Sequence, residues 1–373
     1  MMKKFLLILV FGIFHYQLFA QTAEDALSEF DWLTNYVERN YPGYKLKTQG
    51  KEVEWKKYVY SQRQIVATQP DTLPIILDNY LKRFNDRHLY LRLSNKTIFE
   101  EIIQREKLRQ MQQQGLQSHS VNMYYTATAM NDSTFFLRIP SFDSNTSNKI
   151  VDENFEAITS RPYLIIDIRS NSGGNDANFE SLLSLIYSQP YLTHGTELYA
   201  TEDFLNMYRD IVKKNPNEKW VDFYKRIVAV IEENSGEYVL RPDSKRIDMV
   251  KRDTVYHYPK RVGILIHGQN ASSAEQFIIE ARESEKVVLF GNENTSGTID
   301  LSNVYRIESP LKWFRLHIPT TRSCRWPDIV IDGRGLAPQI PIPYKESLQE
   351  KDNIGDEILY VERILRGINP ANQ

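Results

Sequence analysis

Apolar residues first fall into register just past the amino terminus. Phe30, Leu33, Val37 and Tyr41 recur at helical spacing, and Pro42-Gly43 then breaks the stripe. A second helix is predicted through about Trp55 to Val66. A third follows Asp71-Thr72, read as its cap, and carries Leu73, Ile76, Leu77, Tyr80 and Leu81. That helix ends near Arg83, Asn85-Asp86-Arg87-His88 turns the chain, and Leu89 to Leu93 alternates like a strand. Thr97 to Gln114 reads as a charged, Gln-rich helix and Gly115 to Ser120 as a loop. Val121 to Met130 and Thr134 to Ile139 read as strands joined at Asn131-Asp132-Ser133.

The pattern then changes period. Phe155 to Ser160 is predicted helical, Tyr163 to Ile168 a buried strand, and Asn178 to Tyr187 the helix after a Gly-rich loop. A long interruption follows, about residues 195–260. It holds helices at Phe204 to Lys214 and Trp220 to Glu233 and a strand at Thr254 to Tyr258. Strand and helix resume at Val262–Ile266, Ser272–Arg282 and Val287–Phe290. Strands at Val304–Ile307 and Trp313–Ile318 and a helix at Asp352–Leu365 complete the chain. Two strand–loop–helix units in alternation predict an α/β core with helices on a sheet, preceded by an all-helical module. The expected division is a leader over 1–20, a helical domain over 21–95, and an α/β core over 96–350. The 195–260 segment is an insertion or lid, and 351–373 a terminal helix.

Length, charge, the amino-terminal segment and cysteine content narrow the picture. A length of 373 residues leaves ample room for a core, and a formal net charge of −2 gives no reason to expect nucleic acid or an anionic membrane as partner. Lys3-Lys4, the apolar run Phe5 to Phe14 and Ala20 have the layout of a secretory signal cleaved near Ala20. The run is too short for a comfortable membrane span, so no stable span is expected after cleavage. The expected location is periplasmic or secreted. Cys324 is the single cysteine, so no internal disulfide forms, and it reads as a packing residue.

Two segments carry the chemistry. Asn270-Ala271-Ser272-Ser273-Ala274-Glu275 places a hydroxyl where a strand gives way to a helix, with unpaired N–H groups at the helix start. Ser272 is the candidate nucleophile, and it needs a base to take its proton. The local sequence equally fits an ordinary serine N-cap, and Ser272-x-x-Glu275 also fits a capping box. Asp167-Ile168-Arg169-Ser170-Asn171-Ser172-Gly173-Gly174 supplies a Gly-rich loop. The N–H of Gly173 or Gly174, with that of Ser273, is the candidate oxyanion hole. A histidine titrating near 6.5 suits proton transfer. His88 is the candidate base and His267 the runner-up, while His317, in an alternating strand, reads as structural or solvent-facing. Asp332 is the candidate orienting acid, with Asp86 and Glu275 as alternatives. No His-Glu-x-x-His cluster and no Gly-x-Ser-x-Gly elbow occur. Asn-x-Ser/Thr sequons at Asn95, Asn131, Asn145, Asn270 and Asn294 are taken as chance matches.

The order of these motifs resembles the S41 serine peptidases, the C-terminal-processing and tricorn-core group. The matching segments are Asp86-Arg87-His88, Asp167 to Gly174, Ser272 to Glu275, Val287 to Gly291 with Thr295, and Gly335-Leu336-Ala337-Pro338. The resemblance implies a crotonase- or ClpP-like ββα core, no metal or cofactor, and peptide or protein substrates. The processing branch carries its dyad lysine in the loop where this chain has Ser296-Gly297-Thr298. The resemblance is therefore closer to the tricorn-like Ser/His branch, with His88 matching its histidine and Asp332 standing where it has a Glu. Arg87 replaces that branch's supporting serine. No room for a PDZ module is found between Leu93 and Thr134. The implied function is an exported serine peptidase, and the alternative is a weak or inactive protein of the same fold that binds a peptide or hydrophobic ligand.

Overall fold

A computed structural model describes residues 22–94, 124–242, 244–343 and 355–367. The expected leader, the Thr97 to Gln114 helix, the loop after it and the start of the Val121 strand lie outside the described residues. Among the described residues no helix is long and apolar enough to cross a membrane. Contacts divide the chain into two compact units, Met1–Gly115 with Val304–Pro319 and Leu116–Asn303 with Thr320–Gln373.

In the first unit the apolar stripe becomes the helix Ala23–Asn40, capped by the Thr22 side chain, which accepts the Asp25 N–H at 3.0 Å. Phe30, Leu33, Val37 and Tyr41 are all buried, as the spacing requires. Helices Glu52–Thr68 and Leu73–Lys82 follow. Thr72 does not cap the third helix. A 3₁₀ turn, Pro70–Thr72, intervenes, and the Thr72 hydroxyl donates to the Gln69 carbonyl at 2.7 Å. The unit is not purely helical. Strand β1 (Tyr90–Leu93) pairs antiparallel with residues 314–317 in the register Tyr90↔His317 to Leu93↔Phe314.

The second unit holds the α/β core. Strands β2 (Thr126–Ala129) and β3 (Thr134–Arg138) form the expected hairpin. Asn131 closes it, its Oδ1 accepting the N–H groups of Ser133 and Thr134. A helix absent from the sequence reading, Thr146–Glu153, precedes Phe155–Thr159 and β4 (Tyr163–Asp167). After the Gly loop come a 3₁₀ turn, Asp176–Phe179, and the helix Glu180–Ile186. The interruption is richer in strand than expected. β5 (Tyr191–His194) leads into it, and it contains β6 (Thr196–Tyr199), helices Glu202–Lys214 and Val221–Glu233, β7 (Tyr238–Leu240) and β8 (Ile247–Val250). β8 pairs with β5, and β6 lies between β7 and residues 321–323. The strand expected at Thr254–Tyr258 does not form. The Tyr256 ring packs edge-on against Phe155, and its carbonyl accepts the Lys286 ammonium instead of a neighbouring strand.

β9 (Arg261–Leu265), the helix Ser273–Ala281 and β10 (Val287–Phe290) restore the alternation. The main sheet runs β10-β9-β4-β3-β2, parallel except for the β2 hairpin. Both faces are buried, so side chains divide with period two. Leu164 and Ile166 join Phe135, Leu137, Val262 and Ile264 under helices Glu180–Ile186 and Ser273–Ala281. Ile165 joins Phe136, Leu265 and Phe290 under the terminal helix Asp356–Leu365. β11 (Leu301–Glu308) and β12 (Phe314–Ser323) follow β10. The parallel arrangement brings the carboxyl ends of β4 and β9, and so both motif loops, to one edge of the sheet.

Candidate active site

Ser272 ends the loop that leaves β9 and opens the helix Ser273–Ala281. Its backbone sits at φ 55 and ψ −128, a conformation that side-chain-bearing residues rarely adopt. Its side chain makes no capping hydrogen bond, so the ordinary N-cap reading does not apply. The strained turn is held from both sides: the Ser272 N–H donates to the Thr298 carbonyl at 2.8 Å, and its own carbonyl accepts the Gln276 N–H at 3.0 Å. Such strain persists where surrounding structure over-determines it, and it concentrates at functional turns.

The capping box is also absent. Glu275 is fully buried and turns away from Ser272. Its carboxylate accepts the Gly297 and Thr298 N–H groups, each at 2.7 Å, and the Thr295 hydroxyl. Burial raises its pKa, and those three donors oppose the shift. Glu275 therefore fixes the loop whose Thr298 carbonyl holds Ser272.

The Gly loop lies directly against this turn. A Cβ at Gly173 would stand 2.7 Å from the Ala271 carbonyl oxygen and 2.9 Å from the Ser272 Cβ, with φ at +110. Only glycine permits that approach. Gly174, at φ +145, passes closer still to Phe142, where a Cβ would stand 2.1 Å from its carbonyl carbon. The two glycines differ in their N–H groups. That of Gly173 donates to Asn171 Oδ1 at 2.9 Å and is therefore spoken for. Among the described residues, no acceptor is found for the N–H of Gly174 or of Ser273.

Two asparagines to which the sequence reading gives no role in the site bind the halves together. Asn171 and Asn270 are fully buried. Asn270 Nδ2 donates to the carbonyls of Ile168 at 2.6 Å and Asn171 at 2.9 Å. A fully buried amide with both protons engaged has no place for a glycan, so Asn270 is not a glycosylation site in the folded chain. Nothing local distinguishes Asn270 in the sequence, since its partners stand about a hundred positions earlier.

Asp167 and Arg169 of the same motif act as a brace. The Arg169 guanidinium grips Asp167 through two bonds of 2.9 Å, Arg138 adds a third at 3.2 Å, and Arg169 reaches Glu357 of the terminal helix at 3.3 Å. Burial alone would raise the Asp167 pKa, but Arg169 and Arg138 overcome it and hold it at about 2.

The remaining candidates divide by unit. Asp332 belongs to the second unit, where its Oδ1 accepts the N–H groups of Ile299 and Asp300 at 2.9 and 2.8 Å. Asp300 returns the contact through the N–H groups of Ile331 and Asp332. This reciprocal clamp fixes the segment that carries Gly335, which in turn packs on Thr295. His267 is engaged at both ring nitrogens: Nε2 lies 2.9 Å from Glu293, and Nδ1 accepts the Gln269 N–H at 3.2 Å. His88 belongs to the first unit, half-buried, in a turn shaped by Asp86. Asp86 accepts the His88 N–H at 2.8 Å and the Tyr41 hydroxyl at 2.7 Å, so its carboxylate ties the turn to Tyr41. His317 is buried and stacks on Tyr90 with ring centroids 4.2 Å apart. Burial, with Arg92, Arg306 and Arg315, pushes its pKa down to about 4. Of the two roles the sequence allowed it, the structural one holds. Cys324 is buried, and desolvation raises its thiol pKa.

The sequence pattern of Peptidase family S41 matches residues 134–340. Mature CPAF matches in structure with TM-score 0.61 at 12% identity, covering 92% of this chain and 97% of its own. Mature CPAF complexed with lactacystin matches with TM-score 0.60 at 13% identity, covering 93% and 98%. A protein from Parabacteroides merdae matches with TM-score 0.53 at 17% identity, covering 85% and 89%. No match is found among curated protein sequences.

Proposed function

The chain belongs to peptidase family S41, and we propose that it is an exported serine peptidase of the tricorn-like Ser/His type. Ser272 attacks the peptide carbonyl carbon while His88 takes its proton. The developing oxyanion is received by the N–H groups of Gly174 and Ser273, and Gly173 clears the space for it. The tetrahedral intermediate collapses, the C–N bond breaks, and His88 returns the proton to the leaving amine. Water, relieved of a proton by His88, then hydrolyses the acyl-enzyme and regenerates Ser272. Asp332 is assigned the orienting role on the strength of the motif order alone. Periplasmic or secreted location rests on the Lys3 to Ala20 segment.

The observation that carries the reading is the Ser272 turn, with its positive φ, an uncommitted hydroxyl by the measure of helix capping, and a neighbouring N–H without an acceptor among the described residues. Arg87, in place of a supporting serine, favours the second reading, a binding protein on the same fold. Hydrolysis of fluorescein-labelled casein separates the two. Cleavage is expected from wild type, with a fall of about 10³-fold or more in Ser272→Ala and His88→Ala. Cleavage unchanged in Ser272→Ala sinks the assignment. Loss in Ser272→Ala with retention in His88→Ala moves the base elsewhere. Capture of casein without turnover selects the binding protein.

A further inference from the structure

Every donor and acceptor atom of Asn270 is engaged in a hydrogen bond. Its Nδ2 donates to Ile168 and Asn171, its Oδ1 accepts the His267 N–H at 2.8 Å, its N–H donates to the His267 carbonyl at 2.9 Å, and its own carbonyl accepts the Ser296 N–H at 2.8 Å. It is fully buried. Four segments meet on this one residue: the end of β4, the Gly loop, the turn after β9, and the loop held by Glu275.

The two Nδ2 bonds have a directional consequence. By fixing the Asn171 carbonyl, Asn270 fixes the residue whose side chain accepts the Gly173 N–H. The Asn171 N–H bonds to the Ile168 carbonyl at 2.8 Å, the same carbonyl that Asn270 holds. The path of the loop into Gly174 is thereby set from the nucleophile's side of the molecule. We propose that Asn270 is a positioning residue: its side-chain amide locks the Gly173–Gly174 loop in register with Ser272, so that the N–H groups of Gly174 and Ser273 converge before substrate arrives. This rests on the peptidase reading above and adds to it a residue that touches neither substrate nor the reacting atoms. Preorganised donors assist the transition state because they need not be gathered during reaction.

Asn270→Asp is the informative variant, since it keeps shape and the acceptor for His267 but turns an oxygen toward two carbonyl oxygens. Inactivation of the full chain by a fluorophosphonate–rhodamine probe gives a saturating rate and a half-saturating concentration separately. The phosphonyl oxygen enters the oxyanion position, so the account expects the saturating rate to fall about 10- to 100-fold. The half-saturating concentration is expected to change little, in a variant whose circular dichroism matches wild type. Wild-type rates in a folded Asn270→Asp chain overturn the proposal, as does an effect confined to the half-saturating concentration.

Amide hydrogen exchange on the wild-type chain is run alongside and requires no catalysis. The N–H groups of Asn171, Gly173, Asn270 and Ser272 are expected to exchange at one common slow rate, as a single opening unit. Faster, separate exchange of Asn171 and Gly173 contradicts the lock, including where Asn270→Asp fails to fold. Absence of labelling in wild type defeats the peptidase reading and leaves the exchange result to decide the link between the loops.

Discussion

Ser272 carries both the proposed chemistry and a conformational cost. A serine at φ 55 is strained, and glycine at the same place is not. Ser272→Gly is therefore expected to raise stability by about 1 kcal/mol relative to Ser272→Ala, measured by urea denaturation, while both abolish turnover. The spacing Ser272-x-x-Glu275 fits a capping box, and Glu275 is also an alternative orienting acid. Its buried carboxylate instead serves donors at 295, 297 and 298. Glu275→Ala leaves those donors without an acceptor at about 1–3 kcal/mol each, a loss that thermal unfolding reads directly. His317 titrates on its own. Its pKa is about 4 in the folded chain against 6.5 unfolded, so the unfolded state binds the proton first as pH falls. Stability tied to this group is whole above pH 6.5 and drains away down to about pH 4, by on the order of 3 kcal/mol. His317→Phe, which keeps a ring against Tyr90, is expected to flatten that slope in urea titrations across the same window. Asp167, held at about 2, loses its contribution only below 3.8, so the two effects separate on the pH axis.

Among the elements, those with strong periodicity were legible. The Phe30–Leu33–Val37 stripe and the runs at Tyr163, Val262 and Val287 each gave the right element, because burial on one stripe or two faces dictates their composition. Thr254 to Tyr258 misled because β-forming residues make a strand only where a partner edge exists, and here a ring contact and a lysine take its groups. Thr146–Glu153 was missed because only Ser147 and Val151 of its eight residues are buried, too few to mark a face. The glycine of β9 shows the packing that the terminal helix requires. A Cβ at Gly263 would approach the Val361 Cγ1 to 2.7 Å and press on Phe290 and Leu365. Gly263→Val is expected to cost about 1–3 kcal/mol and to displace the helix Asp356–Leu365, visible as faster exchange of its amides.

Across the molecule, the residues proposed for the chemistry are legible in the sequence and the residues that support them are not. Ser272 and the paired glycines stand out because hydroxyl, helix start and Gly-rich loop are each read locally, and the structure brings them together in one unit. Asn171, Asn270 and the Asp167–Arg169 brace act through partners distant in sequence, and no local pattern announces such bonds. His88, in the other unit, was singled out by a turn and by the order of motifs. Its N–H is seated on Asp86 by the same turn. The proposed mechanism requires Ser272 to be an activated nucleophile. Its most direct test is mass-spectrometric mapping of the adduct after fluorophosphonate treatment of the folded chain. A single phosphonylated peptide with the added mass on Ser272 is expected, and no adduct in Ser272→Ala. An adduct on another residue, or none on folded wild-type protein, contradicts it.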